Sequence, residues 1–340
     1  MRKFVVPRQY PALGEYDDSD PAVIAEHMKM FRRANIGLLV TSWWGPNKVE
    51  DSTTKNVVME HEDVGNLKIS LFYETVDRFR LESGIADIKN AKTDIEYMCE
   101  HYFDHPNYYK VNGRPVLFIY LARTLGNSGK LEEALLTMRS EAAKRGHNIF
   151  LVGDYAFGES PQTTEEDPYV PFWYLDAVTN YDVYGNAGRP QGHAGTTGVS
   201  LYYERQAQWK KETAKENCMF IPAVSPGYND RGVRLESDHP ALSRRVTAAA
   251  EEGSLFHFQL KHAKKLADPG MEKLIMVNSF NEWHEDTQIE PVKLGDSAVW
   301  PPDMTQDLEY VGYGNLYLDI LGASTRSEEG QGIFDYLYEY

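Results

Sequence analysis

Two glutamates separated by two residues offer the clearest chemistry in this chain. Glu282 and Glu285 lie in the run Val277-Asn278-Ser279-Phe280-Asn281-Glu282-Trp283-His284-Glu285, which continues Asp286-Thr287-Gln288-Ile289-Glu290. Cleaving a glycosidic bond takes one protonated carboxyl to assist the leaving group and one ionised carboxyl to act as base or nucleophile. Two carboxyls that sit close together and partly buried acquire different proton affinities, because the charge on one disfavours the charge on the other. An apolar run, Leu274–Ser279, leads into the pair. If the turn after it is helical, the i, i+3 spacing puts both carboxyls on one face. Two exposed loop glutamates would have the same spacing, so the surrounding elements have to decide.

His284 stands beside Glu282, Glu285 and Asp286, a grouping that raises the question of a metal. Adjacent side chains rarely converge on one ion, and no second histidine is near in sequence. A calcium loop would alternate oxygen ligands around a glycine, and this segment does not. The segment therefore reads as metal-free, with His284 hydrogen-bonding a sugar hydroxyl or the protein itself. A second polar segment, Phe220–Arg234, passes from an apolar stretch through Pro226-Gly227-Tyr228 to Asp230, Arg231 and Arg234. A rigid aromatic loop after a strand is either an ordered turn or part of a binding rim.

The elements that must position these residues alternate between strand and helix. Ser19-Asp20-Pro21 reads as a cap with proline in the first turn, opening a helix to about Ala34. Apolar runs at Ile36–Ser42, Leu67–Glu74, Pro115–Tyr120, Asn148–Asp154, Ala177–Tyr181, Met219–Val224 and Leu274–Ser279 read as strands. Helical patterns fall between them at about Ile85–Phe103, Lys130–Arg145 and Leu201–Glu216. Strands that are apolar throughout suit a parallel sheet covered on both faces. No glycine-rich phosphate loop follows any of them, which removes the nucleotide-binding version of an α/β fold. Polar and aromatic residues gather instead where strands end: Trp43, Trp44, Glu74, Asp154, Tyr181, Tyr184, Glu282 and Glu285. In an α/β barrel that rim is where active sites lie. Seven strands are clear, and only Lys3–Val6 is left to supply an eighth; otherwise the first strand is missing.

Composition sets the outer bounds. A formal charge of −16 argues against tracking a nucleic-acid backbone. The 22 tyrosines and 6 tryptophans suit a sugar binder, since aromatic faces pack on the C–H faces of sugars, although most aromatics in any protein are core. Only Cys99 and Cys218 are present, so a disulfide framework or a cysteine zinc site is excluded and at most one long-range bridge could form. No apolar run reaches the ~20 residues of a membrane span. The apolar stretch at the N-terminus is too short for a secretory leader, so the sequence as written reads as cytoplasmic.

At these segments the chain resembles glycoside hydrolase family 99, the endo-α-1,2-mannosidases and mannanases with their bacterial relatives. The resemblance rests on Tyr10–Tyr16 with Asp20-Pro21, on Ser42-Trp43-Trp44-Gly45-Pro46, and on Phe72-Tyr73-Glu74. It continues in Phe220-Ile221-Pro222 with Pro226-Gly227-Tyr228, and in Ser279–Glu285 with Thr287-Gln288-Ile289-Glu290. It implies one domain over residues 1–340, a (β/α)8 TIM-type barrel acting within an α-mannoside chain and retaining anomeric configuration, without a cofactor. Glu285 then matches the general acid/base. Glu282 matches the residue that takes the proton of the sugar's own 2-hydroxyl, giving a 1,2-anhydro sugar that water opens. Glu74 would bind sugar hydroxyls, and Trp43, Trp44, Tyr184, Tyr228, Asn281 and His284 would line the pocket. The chain departs from the family in lacking its first strand with a Trp-Tyr-Gly end, in having Glu74-Thr75 for Glu-Pro, and in the loop Gly185–Gly198. The partner implied is an α-linked oligosaccharide or polysaccharide. A barrel serving surface-polysaccharide assembly and a non-catalytic sugar-binding protein are the competing readings.

Overall fold

The computed structural model describes residues 9–81, 86–156, 158–162, 170–181, 192–234, 239–298 and 302–326. Strands β1 (Leu38–Trp43), β2 (Lys68–Tyr73), β4 (Arg114–Ile119), β5 (Phe150–Asp154), β6 (Ala177–Thr179) and β7 (Met219–Ile221) form one parallel sheet in chain order. A short strand β3 (Lys110–Val111) forms an antiparallel pair with β4 at its outer start. The run Met219–Val224, expected as one strand, is divided at Pro222, which has no N–H to donate. Beyond the proline, β8 (Ala223–Val224) turns from β6 to pair in parallel with β9 (Met276–Val277). The Pro222 carbonyl still accepts the Met276 N–H at 2.9 Å, so the wall continues through the break.

Alternation along these strands sorts their side chains into two layers. Phe72, Phe118, Val152, Ala177 and Ile221 meet one another inside the curve of the sheet. Their neighbours Leu71, Leu117, Leu151, Val178 and Phe220 face the helices outside. Those helices are Pro21–Ala34, Ala91–His101, Leu131–Lys144, Gly195–Lys215, Ser254–Leu266 and Leu316–Arg326. The last two were not evident from periodicity, and the second starts later than expected, after a short 3-10 turn at Ile88–Asn90. In the first helix the cap is Asp20, whose carboxylate accepts the Ala22 N–H at 2.8 Å, with Pro21 following it. Asn35 closes that helix in the left-handed region, where its short side chain is tolerated. A two-stranded antiparallel ribbon, β10 (Gly295–Ala298) with β11 (Tyr310–Gly312), follows the last barrel strand.

The sheet curls from β1 round to β9, and the stretch between those two strands differs from the rest. Residues Leu38–Thr41 and Met276–Val277 are half-exposed, whereas the residues of β5 are all buried. A cavity of about 670 Å³ lies there, reaching from Met28 and Phe31 on the helix side to Phe72 and Tyr181 on the inner side. Lys3–Val6, the expected eighth strand, lies outside the described residues. Among the described residues no helix is long and apolar enough to cross a membrane. Both Cys99 and Cys218 are buried free thiols.

Candidate active site

Every rim residue sits just beyond the C-terminal end of a parallel strand. Glu74 follows β2, Asp154 ends β5, Asn180 and Tyr181 follow β6, the loop Ser225–Arg234 follows β8, and Asn278–Glu290 follows β9. Convergence of successive strand ends on one opening is what a barrel provides, and no local segment could do it.

The segment after β9 is not helical. It runs as bends and a turn, closed on itself by the Ser279 N–H to the Thr287 carbonyl at 2.9 Å and the Ile289 N–H to the Ser279 carbonyl at 3.0 Å. The i, i+3 helical face expected for Glu282 and Glu285 is therefore replaced by a compact loop. Its entry is fixed by Ser279 Oγ, which accepts the Glu282 N–H at 2.8 Å. Beneath the loop lies Arg244, buried between the rings of Tyr313 and Tyr317 at 5.1 and 4.9 Å. Its guanidinium donates to the Asp286 carbonyl at 2.9 Å, the Asp286 carboxylate at 3.2 Å and the Gln288 carbonyl at 3.1 Å. Glu290, also buried, accepts from Tyr16 Oη at 2.7 Å and Trp283 Nε1 at 2.9 Å, and His27 Nε2 lies 3.2 Å from it.

The two glutamates that this loop presents differ in surroundings. Glu285 retains 18% exposure and Glu282 35%. Burial pushes the Glu285 carboxyl above its ordinary range, the charge of Glu282 adds to this, and Arg234 offsets part of it. Glu282 accepts the His284 backbone N–H at 2.8 Å, with the His284 ring nitrogen at 3.3 Å. Across the opening, burial raises Glu74 to about 7, against a hydrogen bond from Ser42 and with the charges of Asp154, Glu282 and Glu50. Asp154 is raised to about 6 by burial, although the N–H groups of Tyr181, Leu121 and Ala156 all bond its carboxylate. Tyr181 stands among these acids. Burial pushes its phenol well up, and the charges of Glu285, Glu282 and Glu74 all act in the same direction.

The expected pocket residues divide. Glu74, Glu282 and Glu285 share the rim and are electrostatically coupled. Tyr228 is buried beside them, hydrogen-bonded to Asp230 and within the field of Glu285. Asn281 and His284 are exposed at the mouth, Asn281 Nδ2 reaching Tyr16 Oη at 3.4 Å. Trp43 is instead a core residue: fully buried, stacked on Tyr73 and donating its indole N–H to Asp51 at 2.8 Å. Its position at a strand end is common to rim and core, and the strand's alternation turns it outward, toward the helices. Trp44, the next residue, is half-buried. Tyr184 lies outside the described residues.

Several residues of the site had no individual role assigned from the sequence. Arg234 contacts Glu285 Oε1 through both terminal nitrogens at 3.2 Å. Asp230, fully buried, holds Arg234 at 2.8 Å and His239 at 2.7 Å. Burial opposes its ionisation, but bonds from Tyr228, His239 and Arg234 outweigh it and keep the carboxyl below its usual range. Glu290 and Arg244 complete the support. The charges of the Tyr228–Arg234 segment were visible in sequence, but nothing local said that they face Glu285. Among the described residues no three histidine, cysteine or acidic side chains are grouped to hold a metal ion.

Fold and site together define the class as a parallel β/α barrel whose strand ends converge on paired carboxyls. A model described as glycosyl hydrolase family 99 matches residues 5–149, and one described as glycosyltransferase WbsX matches residues 82–299, well over half of the chain. The chain belongs to the family whose model matches well over half of it, glycosyltransferase WbsX, and its N-terminal part is similar to glycosyl hydrolase family 99. The glycoprotein endo-alpha-1,2-mannosidase of Mus musculus is 28% identical over 334 residues, covering 92% of this chain and 62% of the relative. This chain thus spans about six-tenths of that relative's length. The family 99 endo-alpha-mannosidase of Bacteroides thetaiotaomicron, solved with bis-tris propane, superposes with a TM-score of 0.65 at 23% identity, over 94% of this chain and 87% of that one. A structure described as a glycoside hydrolase-like protein gives the same TM-score at 16% identity, over 94% and 89%. The two structures establish the barrel fold.

Proposed function

We propose that this protein is a retaining glycoside hydrolase that cleaves within α-mannosidic chains, with α-1,2 linkages as its first substrate class. The observation that carries the reading is the placing of Glu282 and Glu285 on one rim turn, unequally buried and electrostatically coupled. Glu285 is the general acid/base, since burial and the Glu282 charge favour its protonated form, the form that assists a leaving group. Glu282 is more open and accepts the His284 N–H, which suits the partner that takes a proton from the sugar's 2-hydroxyl. The bond from C1 to the leaving oxygen breaks as the 2-oxygen closes on C1. Water then opens the three-membered ring at C1, giving its proton to Glu285 while Glu282 returns the proton it took to the 2-oxygen. Glu74, Tyr181 and Tyr228 surround the sugar that reacts.

The test is product analysis on α-1,2-linked manno-oligosaccharides for wild type, Glu285→Gln and Glu282→Gln. Each variant should lose about 100- to 10,000-fold in turnover, the range for a positioned acid or base, while sugar binding persists. A variant with near-wild-type turnover would overturn the role given to that residue. Binding without cleavage by the wild type would favour a non-catalytic sugar-binding protein.

The match to a model described as a glycosyltransferase supports a second reading, transfer onto a growing polysaccharide. Turnover that requires a sugar nucleotide and lengthens an acceptor would select it over hydrolysis.

A further inference from the structure

The Glu285 carboxyl is already engaged. Both terminal nitrogens of Arg234 lie 3.2 Å from its Oε1, so an acid that must hold a proton faces a fixed cation instead. The cation is anchored from behind. Arg234 begins one turn after Asp230, with its N–H on the Asp230 carbonyl at 2.8 Å, and its Nη1 is 2.8 Å from the Asp230 carboxylate. That carboxylate is wholly buried and also meets His239 at 2.7 Å. The loop itself is locked to the catalytic turn by the Asn229 N–H on the Glu285 carbonyl at 2.7 Å. Asn229 Nδ2 in turn donates to Tyr310 Oη at 2.8 Å and the Met304 carbonyl at 2.9 Å. Arg234 is thus tied tightly at one end and more loosely to Glu285, and its side chain is 49% exposed.

We propose that Arg234 is a substrate-displaced clamp on Glu285, favouring the ionised form of that carboxyl in the empty site and giving it up, while staying on Asp230, when the leaving-group sugar enters. The proposal rests on the acid/base role given to Glu285 above. Its logic is competition for one oxygen. A glycosidic oxygen needs hydrogen-bond reach of the Glu285 carboxyl, and Arg234 occupies the same face. Once Arg234 retires to Asp230, its charge remains balanced by the buried carboxylate. Glu285 is then left facing the charges of Glu282 on its own turn and Asp230 on the loop after β8, both of which favour its protonated form, beside the neutral phenols of Tyr228 and Tyr181. Proton uptake would then be confined to the loaded site, where it is used.

Direct titration tests this independently of turnover. In protein labelled with 13C at the glutamate carboxyls, the Glu285 signal is assigned by its loss in Glu285→Gln. An opposite charge within ~4–6 Å lowers a carboxyl midpoint by about 1–3 pH units, so Arg234→Gln should raise the Glu285 midpoint by about one unit or more. Arg234→Lys, which keeps the charge, should restore part of the difference. Adding a sulfur-linked, uncleavable α-1,2-mannobiose to wild type should raise its midpoint toward that of Arg234→Gln and leave the variant's unchanged. For turnover, the alkaline limb of kcat/KM, which reports the free protein, should lie at least about one unit below that of kcat, and Arg234→Gln should close the gap. Equal midpoints in wild type and Arg234→Gln, or a midpoint unmoved by the mannobiose, would sink the clamp. A shifted midpoint without cleavage of any mannoside would leave the clamp on Glu285 and remove the hydrolase reading.

Discussion

Glu74 offers a test of the site through stability alone. The carboxyl is buried behind β2, and burial, with the charges of Asp154, Glu282 and Glu50, raises it from 4.5 to about 7 against the hydrogen bond from Ser42. Each tenfold change in proton affinity is worth about 1.4 kcal/mol, so ionising Glu74 costs the fold about 3 kcal/mol. The sign follows from proton counting. Below pH 4.5 the carboxyl is protonated in folded and unfolded chains alike, and the penalty is absent. Between pH 4.5 and about 7 the folded chain binds more proton than the unfolded chain, so stability falls as pH rises. Above that window the penalty is complete. Glu74→Gln keeps the shape and cannot ionise. Urea unfolding of both proteins at pH 4.5 and pH 8 should therefore show the variant gaining about 3 kcal/mol on wild type across the interval. Asp154, raised to about 6, titrates in both proteins and cancels from the difference to first order. A difference that stays flat across the interval would refute the picture of a desolvated acid coupled to the site. A gain of stability together with loss of activity would mark Glu74 as a residue kept for function at the expense of the fold.

Further predictions concern the supports of the site. Arg244→Met strands the Asp286 carboxylate and should cost about 3–5 kcal/mol, lowering the urea midpoint by about 1 M or more. A shift under about 0.3 M would show that the stacked guanidinium is dispensable. Trp43→Phe removes the indole donor from Asp51 and should cost about 1–3 kcal/mol in unfolding experiments while leaving manno-oligosaccharide affinity unchanged. Weakened affinity at full stability would return Trp43 to the sugar pocket. Tyr16→Phe takes one of the donors from buried Glu290 and should quicken amide exchange in Ser279–Ile289, read by mass spectrometry; unchanged exchange would mean the turn is held without it.

The barrel was legible because its strands are apolar on both faces and end in polar residues, a signal that does not depend on tertiary detail. The runs at Leu67–Glu74, Pro115–Tyr120 and Asn148–Asp154 correspond to β2, β4 and β5 within a residue or two. What failed to show had particular physical causes. Pro222 splits an apparent strand because hydrogen-bonding capacity, not hydrophobicity, sets its pairing. Trp43 and Tyr73 end adjacent strands like rim residues, yet the period of two turns both outward. The turn Glu282–Asp286 lacks helical bonds because its carbonyls go elsewhere, that of Ser279 to the Ile289 N–H at 3.0 Å and that of Glu282 to the Thr287 N–H at 3.3 Å. Arg234 and Asp230 were visible only as loop charges, since their meeting with Glu285 depends on two loops that follow different strands.

Those failures share a pattern that bears on how the site is held together. The ties of the loop that presents Glu282 and Glu285 run also to residues before β1. Tyr16 and His27 both reach Glu290, the Ala12 N–H bonds the Pro291 carbonyl at 2.8 Å, and the Lys293 N–H bonds the Tyr10 carbonyl at 3.0 Å. These contacts span the stretch between β9 and β1, where the described strands make no bonds to each other and the cavity opens. Backbone ladders carry the curved wall elsewhere; here side-chain bonds to one buried carboxylate bridge the gap, with the edge-to-face contact of His27 and Phe280 at 5.1 Å beside them. Glu290 accordingly joins the first helix to the turn that presents Glu282 and Glu285. The acids of the rim would then be positioned by a network that ties the first helix to the segment after β9, so that geometry at Glu285 and the link between those two elements depend on the same residue.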